Sequence, residues 1–281
     1  MPPMKQAFIT DLDHTLLRSD LTLSGFTVDT WNRKTRNATL SIATARSYKK
    51  ALQFLSRLHL NAPLILLDGA LVVTPEKRII DLKLIGRELG DAVIDEGGKL
   101  GIWPVIITLE DDELNEAFLY PSLRNPYQER LIARYRGDDN LEEQRSIRAR
   151  ERNLKIVYMG EESLLRRLHT RLQQLFGDNL KQILSPEAYL GCYYLTLLHP
   201  LADKAHGLVS AGAYVDHDPA QMSVFGDSIN DLGMFALAGT AIAVQNAMEE
   251  VKGAADIILP HTNDEDAVAR YLADPGIGKR K

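Results

Sequence analysis

Five short apolar runs along the chain break off abruptly into polar or acidic residues. Ala7 to Thr10 runs into Asp11 and Asp13, Leu40 to Ala43 into Thr44 and Arg46, and Leu64 to Leu67 into Asp68 and Gly69. Met222 to Phe225 runs into Gly226 and Asp227, and Ala241 to Val244 into Gln245 and Asn246. Short segments that are apolar throughout read as strands of a parallel sheet covered on both faces. Between them lie segments with helical periodicity, such as Tyr48 to Leu58, which places Ala51, Leu52, Leu55 and Leu58 on one face. Strand and helix alternate, which predicts an α/β fold: a doubly wound, mainly parallel sheet with a site where the carboxyl ends of its strands meet.

The spacing of these signals widens from a few tens of residues to well over a hundred between Asp68 and Asp227, so something is inserted there. A hairpin is expected over Leu71 to Ile80, with its turn near Pro75 to Lys77. Beyond it come an amphipathic segment around Leu84 to Ile94 and strand-like runs at Trp103–Thr108, Ala117–Tyr120, Leu154–Met159 and Cys192–Leu198. A helix over Glu161 to Phe176 sets Leu164, Leu165, Leu168, Leu172 and Leu175 on a core-facing stripe, with Arg166, Arg167 and Arg171 off it. Residues 84–199 are therefore expected to form a separate α+β domain, and 1–83 with 200–281 the α/β core. Arg124 to Arg152 mixes arginines with Glu129, Asp138, Asp139, Glu142, Glu143 and Glu151, and reads as a solvated face or loop. The Lys279 to Lys281 tail reads as frayed.

Composition narrows the class. With 281 residues, 45% hydrophobic and 25% charged, the chain falls with folded globular proteins and away from disorder. Thirty-three Lys plus Arg against 38 Asp plus Glu give a net charge of −5, which argues against a general electrostatic hold on nucleic acid. The single cysteine, Cys192, lies in the apolar run Tyr189 to Leu198, excludes an intramolecular disulfide and reads as a buried strand residue. Met1 to Gln6 lacks the apolar core of a secretion signal. The longest apolar stretch, Leu64 to Val73, is interrupted by Asp68 and too short to cross a bilayer. A soluble, cytoplasmic protein without a membrane, nucleic-acid or obligate protein partner is expected.

The chemistry sits at the strand ends. Asp11 and Asp13, two residues apart, can divide labour: one carboxylate attacks an electrophile while the other, partly desolvated, moves a proton to the leaving group. A loop with capping aspartates is the bland alternative for the pair alone. Thr44 supplies a hydroxyl and an N–H, and Lys204 a positive charge for phosphoryl oxygens. Gly226-Asp227-Ser228-Ile229-Asn230-Asp231 adds two carboxylates. Four carboxylates in one place repel unless a cation compensates, and an all-oxygen set indicates a hard ion, Mg²⁺ before Zn²⁺. Arg46, Asp68, Gly69, Asn230 and Asn246 are further candidates for contacting a phosphorylated ligand. Ser228 and Asn230 can alternatively cap the following helix.

With those residues in view, the chain resembles the haloacid dehalogenase superfamily, specifically its Cof-type phosphatases with a class IIB cap. The four motifs appear in order as Asp11-x-Asp13-x-Thr15, Thr44, Lys204 and Gly226-Asp227-x-x-x-Asp231. Asp68-Gly69-Ala70, Val244-Gln245-Asn246-Ala247, Ala255-Asp256 and Asn263 to Val268 extend the match across both core blocks. The cap matches by length and position only. The resemblance implies a Mg²⁺-dependent phosphatase of small phosphorylated metabolites, sugar phosphates first. Asp11 would be the nucleophile, Asp13 the general acid and then base, and Thr44 and Lys204 the holders of the phosphoryl group. Mg²⁺ would rest on the Asp11 carboxylate, the Asp13 backbone carbonyl and Asp227, with Asp231 nearby, while the cap closes over the substrate.

Four positions depart from the family pattern: His14 and Ala45 stand where glycine is frequent, Gln245 where glycine is usual, and Asp68 where asparagine is expected. An extra carboxylate at position 68 would repel a phosphate yet could accept hydrogen bonds from sugar hydroxyls. Two other functions use the same residues: a phosphomutase, which returns an isomeric phosphate, and a non-catalytic sensor of a phosphorylated metabolite. Trp31 is expected in the core and Trp103 in the cap, while His206 is expected to face solvent.

Overall fold

The computed structural model describes residues 6–187 and 190–280. The Met1–Lys5 start, Tyr189 at the head of the Cys192 run and Lys281 of the tail lie outside the described residues. The chain divides into two compact units, Met1–Leu82 with Asp203–Lys281, and Lys83–Ala202.

The first unit begins with β1 (Gln6–Asp11), α1 (Gly25–Lys34), β2 (Ala38–Ala43), α2 (Tyr48–Leu55), β3 (Leu64–Leu66), β4 (Leu71–Val73) and β5 (Ile79–Leu82). The inserted unit carries α3 (Arg87–Gly98), β6 (Val105–Leu109), β7 (Glu116–Pro121), α4 (Pro126–Arg134) and β8 (Leu141–Gln144). It continues through β9 (Asn153–Gly160), α5 (Glu162–Phe176), β10 (Lys181–Glu187) and β11 (Cys192–Leu198). The first unit resumes with α6 (Lys204–Tyr214), β12 (Met222–Gly226), α7 (Leu232–Leu237), β13 (Thr240–Ala243), α8 (Glu249–Ala254), β14 (Ile257–Ile258), α9 (Ala267–Ala273) and β15 (Lys279–Arg280).

The strands of the first unit form one sheet in the order β15-β14-β13-β12-β1-β2-β3-β4-β5. Pairing from β14 through to β3 is parallel; only the edges, β14–β15 and β3–β4–β5, are antiparallel. From β1 the chain steps outward to β2 and β3, and from β12 it steps the other way to β13 and β14. Right-handed crossovers then put α1 and α7 on opposite faces, which is why the central strands are apolar on both sides. All six residues of β2 are buried, as are Ala7 to Asp11 of β1. The reversal of direction between β1 and β12 opens a crevice at their carboxyl ends, where an open α/β sheet binds its ligand. Trp31 is buried in this core, and its indole N–H donates to the His59 carbonyl.

The inserted unit is a six-stranded sheet, β10-β11-β9-β6-β7-β8, antiparallel except for the β7–β8 pair. Alternation splits its strands between two cores. Ile106, Ile156, Tyr158, Leu195 and Leu197 meet Val93 and Ile94 of α3 and Leu165, Leu168 and Leu172 of α5. Val105, Val157, Met159 and Cys192 face the opposite way, toward Tyr127 and Leu131 of α4. The stripe on α5 is narrower than expected: Leu175, in the last turn before Gly177, is exposed. Arg124 to Arg152 is likewise more ordered than a loop. It holds strand β8 and α4, where Asn125 Oδ1 accepts the Gln128 N–H and Gln128 Oε1 accepts the Asn125 N–H in return. Its charged residues line the outside of these elements and pair across them, Arg124 with Glu143 and Arg150 with Glu110 and Glu142.

Candidate active site

Four residues from three distant stretches meet at the β1/β12 crevice. Asp11 closes β1, Lys204 opens α6, and Asp227 and Asp231 follow β12. The Lys204 side chain is wholly buried; its Nζ donates to an oxygen of Asp11 and, at 2.7 Å, to Asp231 Oδ1. Burial works against the lysine's charge, yet Asp11, Asp231 and Asp68 together hold its pKa above the ordinary value. Burial pushes the Asp11 carboxyl well above the usual carboxylate range, with Asp231 and Asp227 adding to the effect and Lys204 opposing it. Asp227 is pushed up to about 6 by burial and by the like charge of Asp231.

Local backbone features make this crowding possible. The turn Leu12–Leu16 leaves β1 with Asp13 extended and His14 in the left-handed region at φ +56°. That conformation explains why glycine is frequent at position 14, and the His14 ring is exposed to solvent. Ala45 is not among the residues of positive φ, so the missing glycine there carries no strain. Leu67, Asp68 and Gly69 are three successive left-handed residues at φ +50°, +54° and +90°. A Cβ at Gly69 would sit 2.0 Å from the Asp203 carbonyl oxygen, so the glycine lets this turn back directly onto the residue that caps α6. Asp203 accepts the His206 N–H at 2.6 Å and thereby fixes the helix start that carries Lys204. A Cβ at Gly226 would lie 2.5 Å from Asp231 Oδ2, so that glycine makes room for the buried carboxylate. Asp231 Oδ2 accepts the N–H groups of Asp227 and Ser228 at 3.0 and 3.1 Å.

The other expected residues fall into two groups. Thr44, fully buried at the end of β2, accepts the Arg46 N–H on its hydroxyl at 3.1 Å, and its carbonyl accepts the Asp68 N–H. The hydroxyl proton is what Thr44 has to offer a ligand. Asp68 accepts from Asn230 Nδ2 at 2.9 Å, and Asn230 Oδ1 accepts the Ser228 hydroxyl, so the side chains of Asp68, Asn230 and Ser228 form a chain. Asn246 is spent differently: its Nδ2 donates to the His14 carbonyl and its oxygen accepts the Asn263 N–H. It ties the turn after β1 to the closing segment, which Asn263 to Leu17 and Arg18 to Asp266 tie again. Gly69 also serves packing, as described. His206 does not face solvent alone; it shares Asp81 with Ser210.

Asp13 stands apart from the cluster. Its carboxylate takes a two-pronged grip from Arg46, Nε to Oδ2 at 2.8 Å and a terminal nitrogen to Oδ1 at 2.6 Å. The three carboxylates brought together are instead Asp11, Asp227 and Asp231, with one ligand atom from each within 4.8 Å of the others. An all-oxygen, partly buried set in which the charge of Asp231 raises the pKa of both Asp11 and Asp227 fits a hard divalent cation. Asp231 already accepts three hydrogen bonds, while Asp11 and Asp227 each keep an oxygen outside the Lys204 and Thr15 bonds. Asp11 and Asp227 are therefore the direct ligands to expect, with Asp231 holding the lysine and loop behind them. The Arg46 grip is what the sequence reading missed, because only the pairing of Asp11 with Ala43 brings the turns after β1 and β2 side by side.

Residues 8–272 match the haloacid dehalogenase-like hydrolase family, and the chain belongs to it. Among curated relatives it is 24% identical to the 5-amino-6-(5-phospho-D-ribitylamino)uracil phosphatase YitU of Bacillus subtilis, over 94% of this chain and 95% of that one. It is 26% identical to the HMP-PP phosphatase of Cronobacter sakazakii, over 93% and 92% of the two chains. The solved structure of TM0651 from Thermotoga maritima superposes with a TM-score of 0.80 at 25% identity, covering 96% of this chain and 97% of that one. Family, fold and relatives are consistent with a phosphoric monoester hydrolase. No helix among the described residues is long and apolar enough to cross a membrane.

Proposed function

We propose that this protein is a Mg²⁺-dependent phosphatase of small phosphorylated metabolites, sugar and polyol phosphates first, working through a covalent phosphate on Asp11. The observation that carries the reading is the buried Lys204 ammonium held between Asp11 and Asp231, with Asp227 beside them. A protein that only bound phosphate would gain nothing from three converging carboxylates.

Phosphate monoesters hydrolyse very slowly unaided, and their transition state spreads negative charge over several oxygens. Lys204 and the Thr44 hydroxyl answer that charge from fixed positions. An Asp11 oxygen attacks phosphorus in line; as that bond forms, the ester P–O bond breaks and Asp13 gives its proton to the departing oxygen. In the second displacement water attacks the aspartyl phosphate, Asp13 takes its proton, and inorganic phosphate leaves. A Mg²⁺ ion held by Asp11, the Asp13 carbonyl and Asp227 would neutralise phosphoryl charge that otherwise repels the Asp11 nucleophile. The relatives' named substrates, a ribitylamino phosphate and HMP-PP, support small phosphorylated metabolites as the class. The inserted unit, residues 83–202, would act as the cap that selects among them, and the lone buried Cys192 supports a reducing, cytoplasmic setting.

The test is release of inorganic phosphate from p-nitrophenyl phosphate in Mg²⁺. Asp11→Asn should fold like the parent and lose all measurable turnover, and EDTA should stop the parent. Unchanged turnover in that variant would remove Asp11 as nucleophile, and with a sugar phosphate as substrate an isomeric phosphate in place of inorganic phosphate would make the enzyme a mutase.

A further inference from the structure

The Arg46 side chain is held more firmly than a surface arginine. Its N–H donates to Thr44 Oγ1 and its carbonyl accepts the Leu67 N–H at 3.0 Å, so the backbone is fixed from both sides. The guanidinium lies over the Phe54 ring, 4.4 Å from its centroid, and its fork takes both oxygens of Asp13. A planar fork stacked on a ring has one direction in which to present paired donors.

We infer that Arg46 is a positioning residue for the proton-transfer step: it fixes the direction of the Asp13 carboxylate and does not itself grip the substrate phosphate. This rests on the reading of Asp13 as the proton donor. When the Asp11–phosphorus bond forms and the bond to the leaving oxygen breaks, the proton passes from Asp13 to that oxygen and Asp13 is left as a carboxylate. The two-pronged geometry matches that ionised form. Arg46 thus receives the carboxylate and keeps it aimed at the site for the water that follows. Holding Asp13 also keeps it away from Lys204, so the two aspartates of one motif are assigned to different cations.

The assignment is read from leaving-group dependence. kcat/KM on an ester covers every step through departure of the leaving group. Phenyl phosphate releases an alcohol about as basic as a tyrosine phenol, pKa roughly 10, and needs the proton; p-nitrophenyl phosphate needs it far less. Asp13→Asn should lose at least roughly tenfold more kcat/KM on phenyl than on p-nitrophenyl phosphate, within the span general acids contribute. Arg46→Ala should show the same unequal loss at smaller size, and Arg46→Lys, with charge but no fork, should resemble it. The double variant Asp13→Asn/Arg46→Ala should be no worse on phenyl phosphate than Asp13→Asn alone. Inhibition by inorganic phosphate should change less than about twofold in Arg46→Ala, since a positioning residue contributes little ground-state binding. Should Arg46→Ala fold poorly, Phe54→Leu, which removes the ring under the guanidinium, should give the same unequal loss. An equal loss on both esters, or inhibition by phosphate weakened in step with kcat/KM, overturns the assignment and makes Arg46 a phosphate ligand. If Asp13→Asn itself loses equally on both esters, the reading of Asp13 falls first.

Discussion

Replacing Lys204 by methionine keeps most of the stem's volume and removes one ammonium from between two buried carboxylates. The side chains of Asp11 and Asp231 are 8% and 0% exposed, and that of Lys204 is 0%. Breaking a buried ion pair from one side costs about 3–5 kcal/mol, because the remaining charge is left without compensation. Here one cation serves two anions, which places the loss toward the upper end, about 4–5 kcal/mol near pH 8. For a unit of this size about 1 kcal/mol moves the melting temperature by roughly 2–4 °C, so the first unit should melt about 8–20 °C lower. The loss should also depend on pH. Without the ammonium, Asp11 has a folded-state pKa still further above its unfolded one, so protonation favours the folded form. The deficit is then widest above the folded-state value and shrinks as pH falls toward the unfolded value near roughly 4. Melting followed by circular dichroism in EDTA at pH 5 and pH 8 measures both effects. A variant that melts within a few degrees of the parent at pH 8, or whose deficit is the same at both pH values, would refute the reasoning.

Two further outcomes follow from the same geometry. Asp227, raised to about 6 in the folded protein, contributes stability that is present below its unfolded pKa and lost as pH rises through about 6. In EDTA the protein should therefore lose stability over that interval, and Mg²⁺, which needs the ionised carboxylate, should raise the melting temperature more at pH 7.5 than at pH 5; equal increments would contradict it. Gly69→Ala places a Cβ 2.0 Å from the Asp203 carbonyl oxygen at a φ of +90°. It should cost roughly 2–4 kcal/mol, from strain at a left-handed position together with overpacking, and lower kcat by displacing the start of α6; a denaturant midpoint and turnover at the parent's values would show that the close approach has no consequence.

The central sheet was legible because its physics is local. A strand buried on both faces must be apolar throughout, and a strand end that opens into a polar site must change character within a residue or two, so β1, β2, β12 and β13 announced themselves. The converging carboxylates were legible for the same reason: Asp11, Asp227 and Asp231 follow such ends. What stayed hidden depends on register or on an uneven mixture of residues. The Arg46–Asp13 grip follows from β1 and β2 running in step, which neither segment states alone. Helix α4 was concealed by its arginines, although Asn125 with Gln128 formed a capping box and Tyr127, Leu131 and Tyr135 recur every four residues on the side that meets the sheet. Asn246 is a candidate ligand contact because it follows a strand end, and its amide also fastens two loops, a role that no single segment states.

The most direct measurement is chemical trapping of the covalent phosphate. The enzyme is mixed with ³²P-labelled phenyl phosphate and Mg²⁺, quenched in acid within milliseconds, reduced with borohydride and digested. The account predicts transient label on the protein and conversion of Asp11, and of no other aspartate, to homoserine, with neither seen in Asp11→Asn. Steady phosphate release with no labelled protein at any time, or with the reduced residue elsewhere in the chain, would contradict it.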